Sequence, residues 1–550
     1  MPTITYNTDF SQIGIYNALF LGMDPTASDN SAAFLTAVTH ALAGTGTHYA
    51  GQEGGLLLIP SGTYKFTNTI SLLASTLGDQ GLVIMGTGGS TELVLNLAHA
   101  GGDFITLDGF HSGKGIRFEN LRISYSSTTL SGTAIKTKDC QDVTCKNVFF
   151  QNCPQSLHCD NRSLQCGLSD CTIEYFSGPA GQSSVVLNGS QDFVRACVIR
   201  QHPPGTSMPG PSMCTAISIG SASTAFVSDT HIADFYTGIA ISDLARDVFI
   251  SNVFCQNYLN AVTITLSDNT RQINNIHFSD CNFALSFLGS TKTSGVVISL
   301  PSGATNSQIA GIQFDNCVCY GWGNAGIEID GGENITITGG QYSSNGQSPS
   351  ETLLGAGIAI TRGALITISG VDCSGINQFW EEKGMTPITQ PCGIAISGGA
   401  SNITISGCQL NSNSDYGILI DGNNELVLTQ HIYVRSCDGS LYSSYSSVLN
   451  VSGNAVDIQV TSSAGYNDRA VPLASVIPTS GSSFSGPTHS YYGPVEFYTS
   501  PGSANISEIA VDGNNTLIKA GAFTLGPGHS AAITWTPVGA FVPTFVLLGQ

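Results

Sequence analysis

The chain has 550 residues, 41% of them hydrophobic and only 10% charged, with 64 glycines, which is enough apolar side chain to bury a long core and excludes a disordered polymer. Its 18 Lys plus Arg stand against 38 Asp plus Glu, a formal charge of −20, and this argues against nucleic acid or an anionic membrane as partner. No apolar run is long enough to span a bilayer, so no membrane insertion is expected. The opening MPTITYNTDFSQIG carries neither the charged nor the apolar region of a cleaved export signal, so ordinary export is not expected either.

Residues 1–28 read as a short N-terminal segment. The stretch DNSAAFLTAVTHALAG then predicts a helix, capped by Asp29 or Asn30, with Ala33, Phe34, Ala37, Val38, Ala41 and Leu42 as one apolar stripe. Such a helix suits the end of a stack of strands, whose bare edge otherwise invites aggregation. A strand, GGLLLIPSGTYKF from Gly54, follows.

From Leu121 to Leu410 one phrase recurs: an alternating strand, a turn residue, then apolar residues at the next position and two places beyond it. The turn positions are Asn120, Asn147, Asp170, Ala196, Asp229, Asn252, Asp280, Asn316, Gly339, Gly370 and Gly407, at intervals of 23 to 37 residues. All but Ala196 are residue types that tolerate a left-handed backbone, where other L-residues lose about 1–2 kcal/mol. The residues that follow form two inward files, one through Val148, Cys171, Cys197 and Cys281 and one through Phe150, Ile173, Ile199 and Cys255. A second phrase of the GIAI type falls once in most repeats, for example from Gly238, Gly326, Gly357, Gly393 and Gly417. Three short strands per repeat, with a fixed minimum and variable insertions, is the pattern of a right-handed parallel β-helix, an all-β solenoid with like residues stacked upon like.

Sixteen cysteines invite a disulfide or zinc reading. Cys171, Cys197, Cys281, Cys317 and Cys408 fall in one inward file, however, and Cys255, Cys319 and Cys373 in the other, where free thiols act as small hydrophobes. The dense group Cys140, Cys145, Cys153, Cys159 and Cys166 leaves a bridge open, and its spacings match no zinc template. No metal site or other cofactor is read from the sequence, and abundant unpaired thiols suggest assembly in a reducing cytoplasm.

Four long insertions occupy one place in the repeat, beginning at His202, Ser286, Asn345 and Ser374, and loops stacked at a common position would wall a groove suited to an extended polymer. Tyr320, Trp322, Tyr342, Phe379 and Trp380 lie at or near this edge, where aromatic faces stack on sugar rings or else pack the loops. Glu328 and Asp330 in GIEIDGG alternate with Ile327 and Ile329 and should point outward from one strand, about 6.6 Å apart along it. Repeat positions put Ala359 and Thr361, or Ala395 and Ser397, beside them, which would leave the pair in a shallow trough. Two carboxyls about 6.5–9.5 Å apart fit inverting glycoside hydrolysis, one as acid and one activating water; a solvated strand face gives the same pattern. Glu381 and Glu382 beside Trp380 are the second candidates. Arg362, one repeat from Asp330, would bind an acidic sugar or neutralise the pair. Asp170, Asp229 and Asp280 belong to the turn file and are read as backbone-driven.

After Val460 the register is lost. A Ser-, Pro- and Gly-rich linker, 461–493, precedes a new alternating pattern over 494–550, read as a small antiparallel β-domain. Its apolar finish, Phe541 to Leu548, is either that domain's core or a contact with neighbouring subunits.

The helix from Asp29 followed by the strand ending PSGTY resembles the opening of the pectate-lyase-like, glycoside-hydrolase-28-related β-helix superfamily. That resemblance spans the body, 29–460, and implies a β-helix with an N-terminal cap. The terminal β-domain is similar to those that follow β-helices in phage tail proteins. Two functions follow as expectations. One is a phage tailspike: a homotrimer attached through residues 1–28 to other virion tail proteins, assembled in the host cytoplasm, that binds a host surface polysaccharide with or without depolymerising it. The other is a free extracellular hydrolase, lyase or fructotransferase, or a non-catalytic adhesive β-helix. The absence of a calcium-binding Asp cluster beside a basic residue speaks against lyase chemistry.

Overall fold

In the computed structural model the described residues are 14–43, 54–96, 102–111, 115–126, 132–174, 179–201, 213–221, 224–257, 259–285, 293–346, 355–375, 390–397, 399–414, 416–422, 429–435 and 437, with the strands from Asn450 onward described as backbone. They fall into two compact units, Met1–Val318 and Cys319–Gln550. Among the described residues no helix is long and apolar enough to cross a membrane.

The first unit opens with a short strand, Ile15–Asn17, paired parallel with Gly54–Ile59, and then the expected helix, Ser31–Ala43, which buries Ser31, Phe34, Ala37, Val38, Ala41 and Leu42. Ala33 of the expected stripe is only half-buried. Asp29 Oδ1 accepts the Ser31 N–H at 3.0 Å and the Thr67 N–H at 3.1 Å, so one carboxylate satisfies a bare helix-end amide and ties the helix to the strand beside it. Phe34 meets Phe66 edge-on at 5.6 Å, and Phe66 meets Phe104 at 5.0 Å, which carries the helix's apolar face into the coil interior.

Beyond it the chain winds as a right-handed parallel β-helix with three strands per turn. One stack contains Ser190–Arg195, Thr224–Ser228, Arg246–Ser251 and Ile273–Ser279. A second, entered through the turn file, contains Val198–Arg200, His231–Ala233, Phe254–Asn257 and Asn282–Leu285. The third holds the GIAI-type strands Thr215–Ile219, Thr237–Ser242, Asn260–Thr265 and Val296–Ser299. Parallel register puts like on like: Ile217 pairs with Ile239, Ile239 with Val262, and Val262 with Val296. All four are fully buried.

Every residue of the turn file has left-handed backbone, with φ from 51° at Asn252 to 63° at Gly407, Ala196 (53°) included. Side-chain amides bridge successive turns: Asn147 donates to Asn120 at 2.7 Å, Asn252 to Asp229 at 2.8 Å and Asn316 to Asp280 at 2.7 Å. Asp229 and Asp280 are therefore structural acceptors, while Asp170 accepts the neighbouring Ser169 hydroxyl at 2.9 Å. All sixteen cysteines are free and buried, and no bridge forms in the Cys140 to Cys166 group. Burial pushes the Cys140 thiol up to about 11 and holds those of Cys145, Cys153 and Cys255 higher still.

In the second unit the long strand Ala325–Thr338 pairs with Ala356–Ser369, and that in turn with Cys392–Ser397 and Ser401–Ser406. Tyr416–Gly422 and Thr429–Arg435 continue the ladders to Asn450–Gly453 and Ala455–Thr461. Beyond these the pairing becomes antiparallel. Val495–Ser500 lies between Gly521–Leu525 and Thr544–Gly549, and Ala531–Thr536 lies between Ser483–Ser485 and Asn505–Val511.

Candidate functional site

The strand Ala325–Thr338 keeps the isoleucines Ile327 and Ile329 fully buried and leaves Glu328 and Asp330 half-buried on its other side. Alternation alone would set the two carboxylates in line, but the ladder shifts register between Ile329 and Asp330. That irregularity pairs Asp330 with Arg362, where the repeat spacing had put Thr361.

Asp330 is consequently held from two residues at once. Arg362 Nε donates to its Oδ1 at 2.6 Å and Nη2 to its Oδ2 at 2.9 Å, while Thr361 Oγ1 reaches Oδ1 at 2.9 Å. A guanidinium fork of this kind matches an ionised carboxylate and fixes its plane. Of the two roles the sequence left to Arg362, neutralising Asp330 is the one in place. The side chains stay 36% and 40% exposed, so the pair stabilises the fold by about 1 kcal/mol at most and leaves a face open to a ligand. Glu328 accepts the Asn324 amide at 3.2 Å. Asn324, four residues before Glu328, carried no sequence signal of its own, whereas Thr361 had been placed beside the pair by the repeat spacing.

Three expectations are corrected. Trp322 is fully buried, and its backbone N–H is tied to Asn345 Oδ1 at 3.2 Å, so its ring face is closed to a sugar. Tyr342 is also fully buried, because it stands in the inward file beside which Cys373 and Leu410 recur. Both aromatics pack the core. The neighbours of Glu328 do not form a trough: Ala359, which pairs with Glu328, is fully buried, and Ala395 and Leu419 are 7% exposed. With Ala325, Ala356 and Cys392 they form a separate apolar cluster against which Tyr416 packs. Trp380, Glu381, Glu382 and Phe379 lie outside the described residues, as does most of each of the four insertions.

The sequence reading missed an outward aromatic file in the first unit. Phe226 pairs with Phe249 and Phe249 with His277, and the two phenylalanines are 38% and 37% exposed. Their rings stack at 5.6 Å with planes 15° apart, so each covers a face of the other and turns an edge to solvent. His277 Nε2 lies 2.6 Å from Asp315 Oδ2. Recurrence of Phe and His at the outward place of successive repeats was the available signal.

A family model described as a right-handed β-helix region matches residues 298–456. No curated protein matches the chain in sequence. Among solved structures, the Dettilon tailspike protein aligns over 98% of this chain and 94% of that one, with a TM-score of 0.50 and 11% identity. Tailspike protein 3 of bacteriophage CBA120 aligns over 82% of this chain at 13% identity and a TM-score of 0.43, and the chain spans 62% of that protein's length. DFA-IIIase from Arthrobacter chlorophenolicus A6, in complex with GF2, aligns over 72% of this chain and 94% of that one, at 11% identity and a TM-score of 0.45. The fold, read from its corners, ladders and inward files, agrees with the family model and with the Dettilon likeness: the chain is a right-handed parallel β-helix.

Proposed function

We propose that this chain is a phage tailspike that binds a host cell-surface polysaccharide and cleaves it at Glu328 and Asp330. The observation that carries the reading is architectural. A capped parallel β-helix followed by antiparallel strands aligns with a tailspike protein over nearly the whole of both chains.

On this reading Asp330, oriented by the Arg362 fork, acts as the base that activates water, and Glu328, two residues along the same strand, protonates the leaving oxygen. Homotrimeric assembly and attachment to other tail proteins belong to the same proposal. The test is a panel of purified bacterial surface polysaccharides, scored for binding and for release of reducing ends. Glu328→Gln and Asp330→Asn are each expected to lower turnover by about 100-fold or more while binding stays within a few-fold. Unchanged cleavage in both variants removes the catalytic assignment. A monomer that degrades soluble glycan points to the free enzyme, and a wild-type protein that binds no member of the panel overturns the tailspike reading.

A further inference from the structure

Inside the first unit a carboxylate lies where the pattern calls for an apolar residue. Asp192 pairs with Ala225, Ala225 with Val248, and Val248 with Ile276, and of this inward file only Asp192 is an acid. It is fully buried. A buried carboxylate without a cation is strongly disfavoured, and among the described residues no Lys or Arg pairs with it. Its oxygens are instead aimed by backbone: Cys166 N–H donates to Oδ1 at 3.1 Å and Gly189 N–H to Oδ2 at 2.9 Å. Gly189 permits the approach, since a Cβ there would stand 2.7 Å from Oδ2 and 2.4 Å from the Ser163 carbonyl oxygen.

The thiols of Cys159 and Cys166, both fully buried, converge on this carboxylate from the turn before. Their sulfurs and an Asp192 oxygen all lie within 4.8 Å of one another, near enough for the three to draw in on one ion, whose bonds to sulfur are about 2.3 Å and to oxygen about 2.0–2.2 Å. Thr137, which pairs with Cys159 across the ladder and whose Oγ1 sits 2.8 Å from Ser163 Oγ, brings a neutral oxygen beside the group. The two backbone N–H groups on the carboxylate orient it as outer-sphere donors orient a metal ligand.

We infer that Cys159, Cys166 and Asp192 hold one divalent ion of the zinc class in the interior of the β-helix, as a structural staple between consecutive turns. Two soft sulfurs and one hard oxygen in a buried place select zinc over calcium or magnesium, which take oxygen ligands alone. Because the site is sealed, the ion enters as the coil forms and is retained thereafter. This inference is independent of the glycan reading.

The test uses the full-length, untagged protein expressed in zinc-replete medium and, separately, in zinc-depleted medium supplemented with cobalt. The expected result is about one equivalent of zinc per chain by mass spectrometry of the metal, and, in the cobalt-grown protein, a thiolate-to-cobalt absorption band in the near ultraviolet. Cys159→Ser and Asp192→Asn should each lower metal content about ten-fold or more. If either variant fails to fold, the cobalt spectrum of the wild-type protein still decides the question. Folded wild-type protein with neither zinc nor a cobalt band overturns the inference; so does a native disulfide between Cys159 and Cys166, or full metal content in Cys159→Ser.

Discussion

The corners of the first unit and those of the second reach the same backbone shape by different chemistry. In the first, Asn120, Asn147, Asp229, Asn252, Asp280 and Asn316 hold φ near 50°, and their side chains bridge successive turns in pairs. In the second, Gly339, Gly370 and Gly407 hold φ near 62° with no side chain at all, and a Cβ at Gly370 would meet nothing within 4 Å. The corner therefore demands a backbone conformation first, and cross-linking is an addition that one unit uses and the other lacks. Glycine makes the left-handed shape free of steric penalty; Asn and Asp accept a modest penalty and recover it through a hydrogen bond to the next rung.

That distinction can be broken in graded steps. The largest effect is expected at Gly370, where Val should destabilise the protein by about 2 kcal/mol because a β-branched residue resists φ of 62°, whereas Asn should be nearly neutral; the difference in urea midpoints between the two variants is the measurement. Equal midpoints for Val and Asn would mean that the corner conformation is not what glycine supplies. Smaller and opposite in sign is Ala196→Gly, expected to stabilise by about 1 kcal/mol, since Ala196 is the one corner residue with a Cβ and no compensating polar group. Smallest is Asn252→Gly, which keeps the backbone shape but removes the 2.8 Å bond to Asp229. A loss of about 0.5–1 kcal/mol there measures the cross-link by itself, and no loss would make the amide ladder incidental.

What could be read in the sequence follows the same division. The turn file was legible because Asn, Asp and Gly advertise left-handed backbone locally, and even Ala196 was placed correctly by its neighbours. A second left-handed file was not legible. It runs through Asp142, Gln165, Gln191, Asp247 and Asn275 in the first unit and through Asn334, Leu365, Asn402 and His431 in the second. Gln and Leu carry no such local preference, so at Gln165, Gln191 and Leu365 pairing with the rungs on either side overrides propensity. Asp192 was lost for the same reason: the strand shifts register between Ser190 and Asp192, next to the left-handed Gln191, and defeats simple alternation. Around Glu328 the outward facing of both carboxylates was legible from alternation, while the Arg362 fork depended on a bulge that spacing cannot foretell. Trp322 was misread because an aromatic near an insertion does not declare whether it faces ligand or core.

The enclosure of all sixteen thiols gives the molecule a built-in reporter of opening. An alkylating reagent in solution meets sulfur only where a coil has come apart, so the order in which peptides acquire the label maps which turns breathe and which stay shut. The chain thereby carries, in its own composition, probes distributed along the solenoid from Cys140 to Cys437.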